Sequence, residues 1–181
     1  ASEDGTVKIW NANTGEIITT LTGHMWGVLS VAYSPDGTRI ATTGLDTAKI
    51  WDVNTGVIIR MLTGHSNDVR DIAYSPDGAH IATVGDDSTV RIWDANTGAL
   101  TRSLIGHTYI IACVTYSPDG TRLVTGSWDK TAKIWNVDAL SLQEDVSDAV
   151  FSIVAPLPAS QNVDMKQCLV GVGRDSLVTT F

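Results

Sequence analysis

Gly64-His65-Ser66-Asn67-Asp68-Val69-Arg70-Asp71-Ile72-Ala73-Tyr74-Ser75-Pro76-Asp77-Gly78 opens a stretch that runs on through Asp87 to Trp93-Asp94. Its landmarks recur along the chain, and that recurrence decides the fold. Trp10, Trp51, Trp93 and Trp135 follow one another at intervals of 41, 42 and 42 residues. Gly23-His24, Gly64-His65 and Gly106-His107 keep the same step, as do the three Ser-Pro-Asp-Gly segments at Ser34–Gly37, Ser75–Gly78 and Ser117–Gly120. Trp10, Trp51 and Trp93 each stand 14 residues before the next His. Three landmarks held in phase at such a period signal a repeat architecture rather than one irregular domain.

Within a repeat the pattern is strand and tight turn, without helical periodicity. Residues 28–33 alternate and are rich in β-formers, and Ser34-Pro35-Asp36-Gly37 follows as a turn, with Pro where φ is preset and Gly where φ can be positive. Residues 39–43 form a second strand, and a polar turn at Asp46 leads into a third at 48–51. Asn54-Thr55-Gly56 is another turn, before a fourth strand at 57–62. Four short antiparallel strands, called a to d in chain order, in about 42 residues make one propeller blade.

On these residues the chain resembles the WD40 repeat family, strongly over 1–137 and in degenerate form over 138–181. Gly-His, an Asp six residues before the Trp, and Trp-Asp or Trp-Asn carry the resemblance. In the tail, Asp175 precedes Phe181 by six residues, so Phe takes the Trp place. The implied fold is all-β: a WD40 β-propeller of about 4.3 four-stranded antiparallel blades. The expected limits are a partial blade at 1–21, blades at 22–63, 64–105 and 106–147, and a degenerate partial blade at 148–181. Propellers of the family usually close with seven blades, so the chain is expected to be an incomplete propeller or an excerpt of a longer protein. A four-blade ring closed by pairing the two ends stays open as the alternative.

The resemblance also implies an internal network in each blade. Carried over residue by residue it gives His24, Thr42, Asp46 and Trp51, then His65, Thr83, Asp87 and Trp93, then His107, Thr125, Asp129 and Trp135. A Thr–His–Asp set has the look of a hydrolase triad, but a nucleophile site is one exposed constellation and not a repeated one. No catalytic residue is expected. Asp46 stands five residues before Trp51, one fewer than in the other blades, so its bond to His24 is expected to be strained or lost and this blade to be the weakest of the three complete ones.

Composition bounds what remains. The 181 residues are 43% hydrophobic and 18% charged, which is globular. With 12 Lys and Arg against 20 Asp and Glu the net charge is −8, and no basic run offers itself to phosphate or anionic lipid. Nucleic acid and membrane partners are disfavoured. Cys113 and Cys168 form no CxxC pair and are expected to be free buried thiols in a reducing compartment, which places the protein inside the cell, in the cytoplasm or nucleus. Gly171-Val172-Gly173 lacks the third glycine of a dinucleotide loop, and no metal motif occurs, so neither cofactor nor metal is expected. Asp86-Asp87 is expected to be a solvated carboxylate beside a network one, and His80 a surface strand residue.

The expected function is a scaffold for protein–protein interaction, the interaction part of a larger signalling protein. Family members bind on the loop face, at the third and fifth residues after each Gly-His and at the residue before each turn Asp. Those positions are Gly27, Leu29 and Leu45, then Asp68, Arg70 and Asp86, then Ile110, Ala112 and Trp128. Trp26 and Trp128 lie off the repeat grid, both in loops of that face, and Trp is a frequent interface anchor. The implied partner is a protein or peptide, with the remaining blades of the chain or a second copy as neighbours. The alternative, a propeller enzyme with a central-channel site, would need charged groups on the inner strands, which offer only Arg70 and Asp71.

Overall fold

The structure is a computed structural model that describes residues 2–45, 47–137 and 149–152. The described residues form strands and turns. A two-stranded ribbon, β1 (Thr6–Trp10) and β2 (Ile17–Thr22), comes first. Three four-stranded antiparallel sheets follow. The first holds β3 (Ser30–Tyr33), β4 (Arg39–Thr43), β5 (Thr47–Asp52) and β6 (Ile58–Thr63). The second holds β7 (Val69–Tyr74), β8 (His80–Gly85), β9 (Thr89–Asp94) and β10 (Leu100–Ile105). The third holds β11 (Ile111–Tyr116), β12 (Arg122–Ser127), β13 (Thr131–Asn136) and β14 (Ala149–Ser152). Each strand pairs with its neighbour in sequence, and β7 packs against both β3 and β11. Sheets joined through their first strands in this way are blades around an axis.

Apolar side chains between sheets hold the stack together. Val7, Ile9 and Leu21 of the ribbon meet Val28, Ile40 and Trp51 of the next sheet. Ala48, Ile50 and Leu62 meet Ile72, Ile81 and Trp93, and Val84, Val90 and Ile92 meet Ile111, Leu123 and Trp135. Because β8 lies between two such layers, its residues Ile81 to Gly85 are buried on both faces. The outer strands β6 and β10 are mostly exposed. The Ser-Pro-Asp-Gly turns form as expected, with Gly37, Gly78 and Gly120 at φ of 71°, 72° and 73°, a region that suits glycine.

Several expectations change. Trp51, Trp93 and Trp135 each pack toward the preceding sheet, and no sheet precedes the ribbon among the described residues, so Trp10, on the same period, is 54% exposed. The strand that pairs with β13 at the outer edge of the third sheet is β14. Cys113 is disulfide-bonded and not a free thiol, which removes the thiol argument for a reducing compartment. Asp46, Cys168, Gly171–Gly173 and the expected blade over 153–181 lie outside the described residues. Among the described residues no helix is long and apolar enough to cross a membrane, and no group of three or more His, Cys, Asp or Glu side chains could hold a metal ion.

Candidate functional site

One face of the stack is made by the loops entering each first strand and the turns between second and third strands. Backbone bonds tie these segments together: Leu29 N–H donates to the Thr43 carbonyl, Asp86 N–H to Asp68, and Trp128 N–H to Ile110. Beneath them lie the repeated networks. Trp93 Nε1–H donates to Thr83 Oγ1 at 2.8 Å, the hydroxyl meets His65 Nε2 at 2.8 Å, and His65 Nδ1 meets Asp87 at 2.9 Å. Trp135, Thr125, His107 and Asp129 repeat this at 2.9, 2.8 and 2.7 Å. One proton arrangement satisfies every atom: the indole donates to the hydroxyl, the hydroxyl to Nε2, and Nδ1–H to the carboxylate.

Burial holds His65 and His107 below the usual imidazole range, even though the facing carboxylates pull the other way, so both rings are neutral. Burial alone would raise Asp87 and Asp129, but bonds from Thr89 or Thr131 and from the histidines outweigh it and both carboxylates end lowered. Thr83 and Thr125 are fully buried, and each hydroxyl oxygen already accepts an indole N–H. A nucleophile needs an exposed, unencumbered oxygen, which these are not.

The network under the first four-stranded sheet is different. His24 is only half-buried, Nε2 meets Thr42 at 2.7 Å, and Trp51 Nε1–H donates to Thr42 at 2.8 Å. Burial and the Lys49 charge lower its pKa to about 4. The residue missing from this turn has a definite place. Asp87-Ser88-Thr89 and Asp129-Lys130-Thr131 put Ser88 and Lys130 at φ of 62° and 70°, and Asp4-Gly5-Thr6 puts Gly5 at 76°. No residue stands between Asp46 and Thr47, and the turn closes instead through Gly44 N–H to the Thr47 carbonyl.

The candidate binding residues gather at this face unevenly. Trp26 is 65% exposed and Trp128 50%, while Leu45 is just exposed and Gly27, Leu29, Ile110 and Ala112 are half-buried. Register shifts between Val69 and Asp71, and between Ile111 and Cys113, make Arg70 and Ala112 bulge residues. A bulge re-aims its side chain, and Arg70 reaches Asp86 with Nε at 2.6 Å and Nη2 at 2.7 Å. Asp86 is therefore an ion-pair partner, not the solvated carboxylate expected. The bonds from Asp86 raise the Arg70 pKa above its ordinary value. The guanidinium carbon lies 6.0 Å from the Trp128 ring centroid, and Tyr109 packs on that ring at 6.3 Å and 43°.

Tyr109 escaped the sequence reading although it stands two residues after His107, as Trp26 does after His24. Asp71 also escaped in this role. It accepts from Ser30 Oγ of β3 at 2.6 Å and from Val114 N–H of β11 at 2.9 Å, bridging three inner strands. His80 is half-buried at the start of β8, close to the surface strand residue expected.

Stacked four-stranded sheets with a repeated Trp–Thr–His–Asp network beneath a loop face define a β-propeller of the WD type. The chain belongs to the WD40 family: the family model described as "WD domain, G-beta repeat" matches residues 15–52, 56–94 and 98–136. A segment of 47 residues, 26% of the chain, is 49% identical to Nuclear distribution protein PAC1 of Arthroderma benhamiae. A segment of 45 residues, 25% of the chain, is 49% identical to Apoptotic protease-activating factor 1 of Mus musculus. Those segments span 10% and 4% of the two relatives, so the likeness is about one repeat long.

Proposed function

We propose that this chain is a scaffold module that binds a protein or peptide partner on its loop face, without catalysing a reaction. The observation that carries the reading is the exposed aromatic pair Trp128 and Tyr109, set on loops fastened to buried networks, with Trp26 on the same face. Exposed aromatics on a rigid base lose little entropy on binding and are frequent anchors. The charged inner-strand residues support the same reading. Arg70 is spent on Asp86 and Asp71 on Ser30 and Val114, which leaves no acid–base pair free among the described inner strands. Participation in a larger signalling protein is part of the proposal, suggested by the likeness to single repeats of much longer relatives.

The test is selection of peptides from a displayed library on the full chain, followed by binding to two variants. Peptides should lose affinity for Trp26→Ala/Trp128→Ala and keep it for Tyr33→Ala at the far end of β3. Equal loss in both variants, or none in either, contradicts a loop-face site.

A further inference from the structure

Resting on the loop-face reading, we infer that the site between the second and third four-stranded sheets takes a cationic partner segment, with an arginine as its anchoring side chain. Arg70 supplies the observation. Its guanidinium lies over Trp128 at 6.0 Å and is held by both oxygens of Asp86 at 2.6 and 2.7 Å. The chain thus shows on itself that this aromatic face and this carboxylate accept a guanidinium. Trp128 stays 50% exposed and Tyr109 53%.

The local charge favours a second cation over an anion. The loops at 66–70, 86–88, 108–112 and 128–130 carry four carboxylates against Arg70 and Lys130. Asp87 and Asp129 face the histidines and Asp86 faces Arg70, whereas the Asp68 side chain has no hydrogen-bond partner among the described residues. Asp68 is half-buried and lies close enough to Arg70 to act on its charge. A guanidinium entering beside Tyr109 and Trp128 would meet π faces and the unpaired Asp68 carboxylate together. An acidic peptide would instead meet a net negative surface, on a chain of net charge −8, whose nearest cation is already neutralised. Arg70 is in this view an internal competitor, occupying the ring that the partner's arginine also uses.

The experiment is fluorescence anisotropy with a labelled Gly/Ser peptide carrying two arginines and a leucine, and with versions bearing glutamate or citrulline in the arginine places. The arginine peptide should bind the full chain, weaken as salt rises, and exceed the citrulline and glutamate versions by about fivefold or more. Trp128→Ala and Asp68→Asn should each weaken it by about fivefold without moving the melting temperature, because both side chains are partly solvated. Arg70→Ala should strengthen it by vacating Trp128. Binding of the glutamate peptide at least as tight, no binding of the arginine peptide, or weaker binding by Arg70→Ala overturns the inference. Library peptides that need Trp128 but carry no basic residue would overturn it while leaving the loop-face function standing. Library peptides indifferent to Trp26 and Trp128 would remove both.

Discussion

Thr83→Val isolates what one buried hydroxyl does for a blade. Thr83 is fully buried, accepts Trp93 Nε1–H at 2.8 Å and meets His65 Nε2 at 2.8 Å. Valine keeps the branch but removes the oxygen, leaving the indole N–H and the imidazole nitrogen without partners. Each orphaned buried group costs about 1–3 kcal/mol, so the pair costs about 2–6 kcal/mol. The methyl that replaces the hydroxyl returns about 1 kcal/mol. The expected loss is therefore about 1–5 kcal/mol, a large share of the stability of an ordinary domain. Thr42→Val is the control: His24 is half-buried, so water can reach its ring and the loss should be smaller. Urea unfolding followed by tryptophan fluorescence reads both, as a fall in midpoint at constant slope. If Thr83→Val stays within about 0.5 kcal/mol of the parent, the networks do not stabilise the blades and the reasoning fails.

Three further outcomes follow from the same contacts. Inserting glycine between Asp46 and Thr47 recreates Asp4-Gly5-Thr6, restores the left-handed position, and should stabilise by about 0.5–2 kcal/mol in the same urea assay; a neutral or negative result means the short turn is fully accommodated. The lowered histidine pKa values make stability complete above pH 6.5 and lost as pH falls through the folded values, toward about 4 for His24, so melting temperatures from pH 7 to 4 should drop, and a flat profile contradicts neutral buried rings. Burial raises Asp71, so its charged form costs stability that acidification returns; Asp71→Asn should be neutral or stabilising near pH 7, whereas Asp71→Ala should cost about 1–3 kcal/mol by orphaning Ser30 and Val114, and equal effects of the two would show the bridge to be idle.

The blade plan was legible because it rests on landmarks that recur: the Ser-Pro-Asp-Gly turn and the Trp–His interval need no partner to be recognised. The networks were legible through family resemblance, and the shortened turn at Asp46-Thr47 through counting alone. What escaped depends on packing between repeats. Trp10 obeys the period of Trp51, Trp93 and Trp135, yet only a neighbouring sheet can bury such a residue, and none precedes the ribbon among the described residues. The bulge at Arg70 leaves no mark in an alternating strand, so its turn toward Asp86 and Trp128 could not be read. Asp71 looked like one charged strand residue, because its two partners lie on β3 and β11, each more than forty residues away.

Hydrogen exchange on the full chain, with and without a library-selected peptide, tests the loop face most directly. A partner on that face should slow exchange at the backbone amides of residues 25–29, 66–70 and 108–112 and of the turns at 86–88 and 128–130, with the Ser-Pro-Asp-Gly turns unchanged. Protection centred on Ser34–Gly37, Ser75–Gly78 and Ser117–Gly120, with the loop face unaffected, would contradict it.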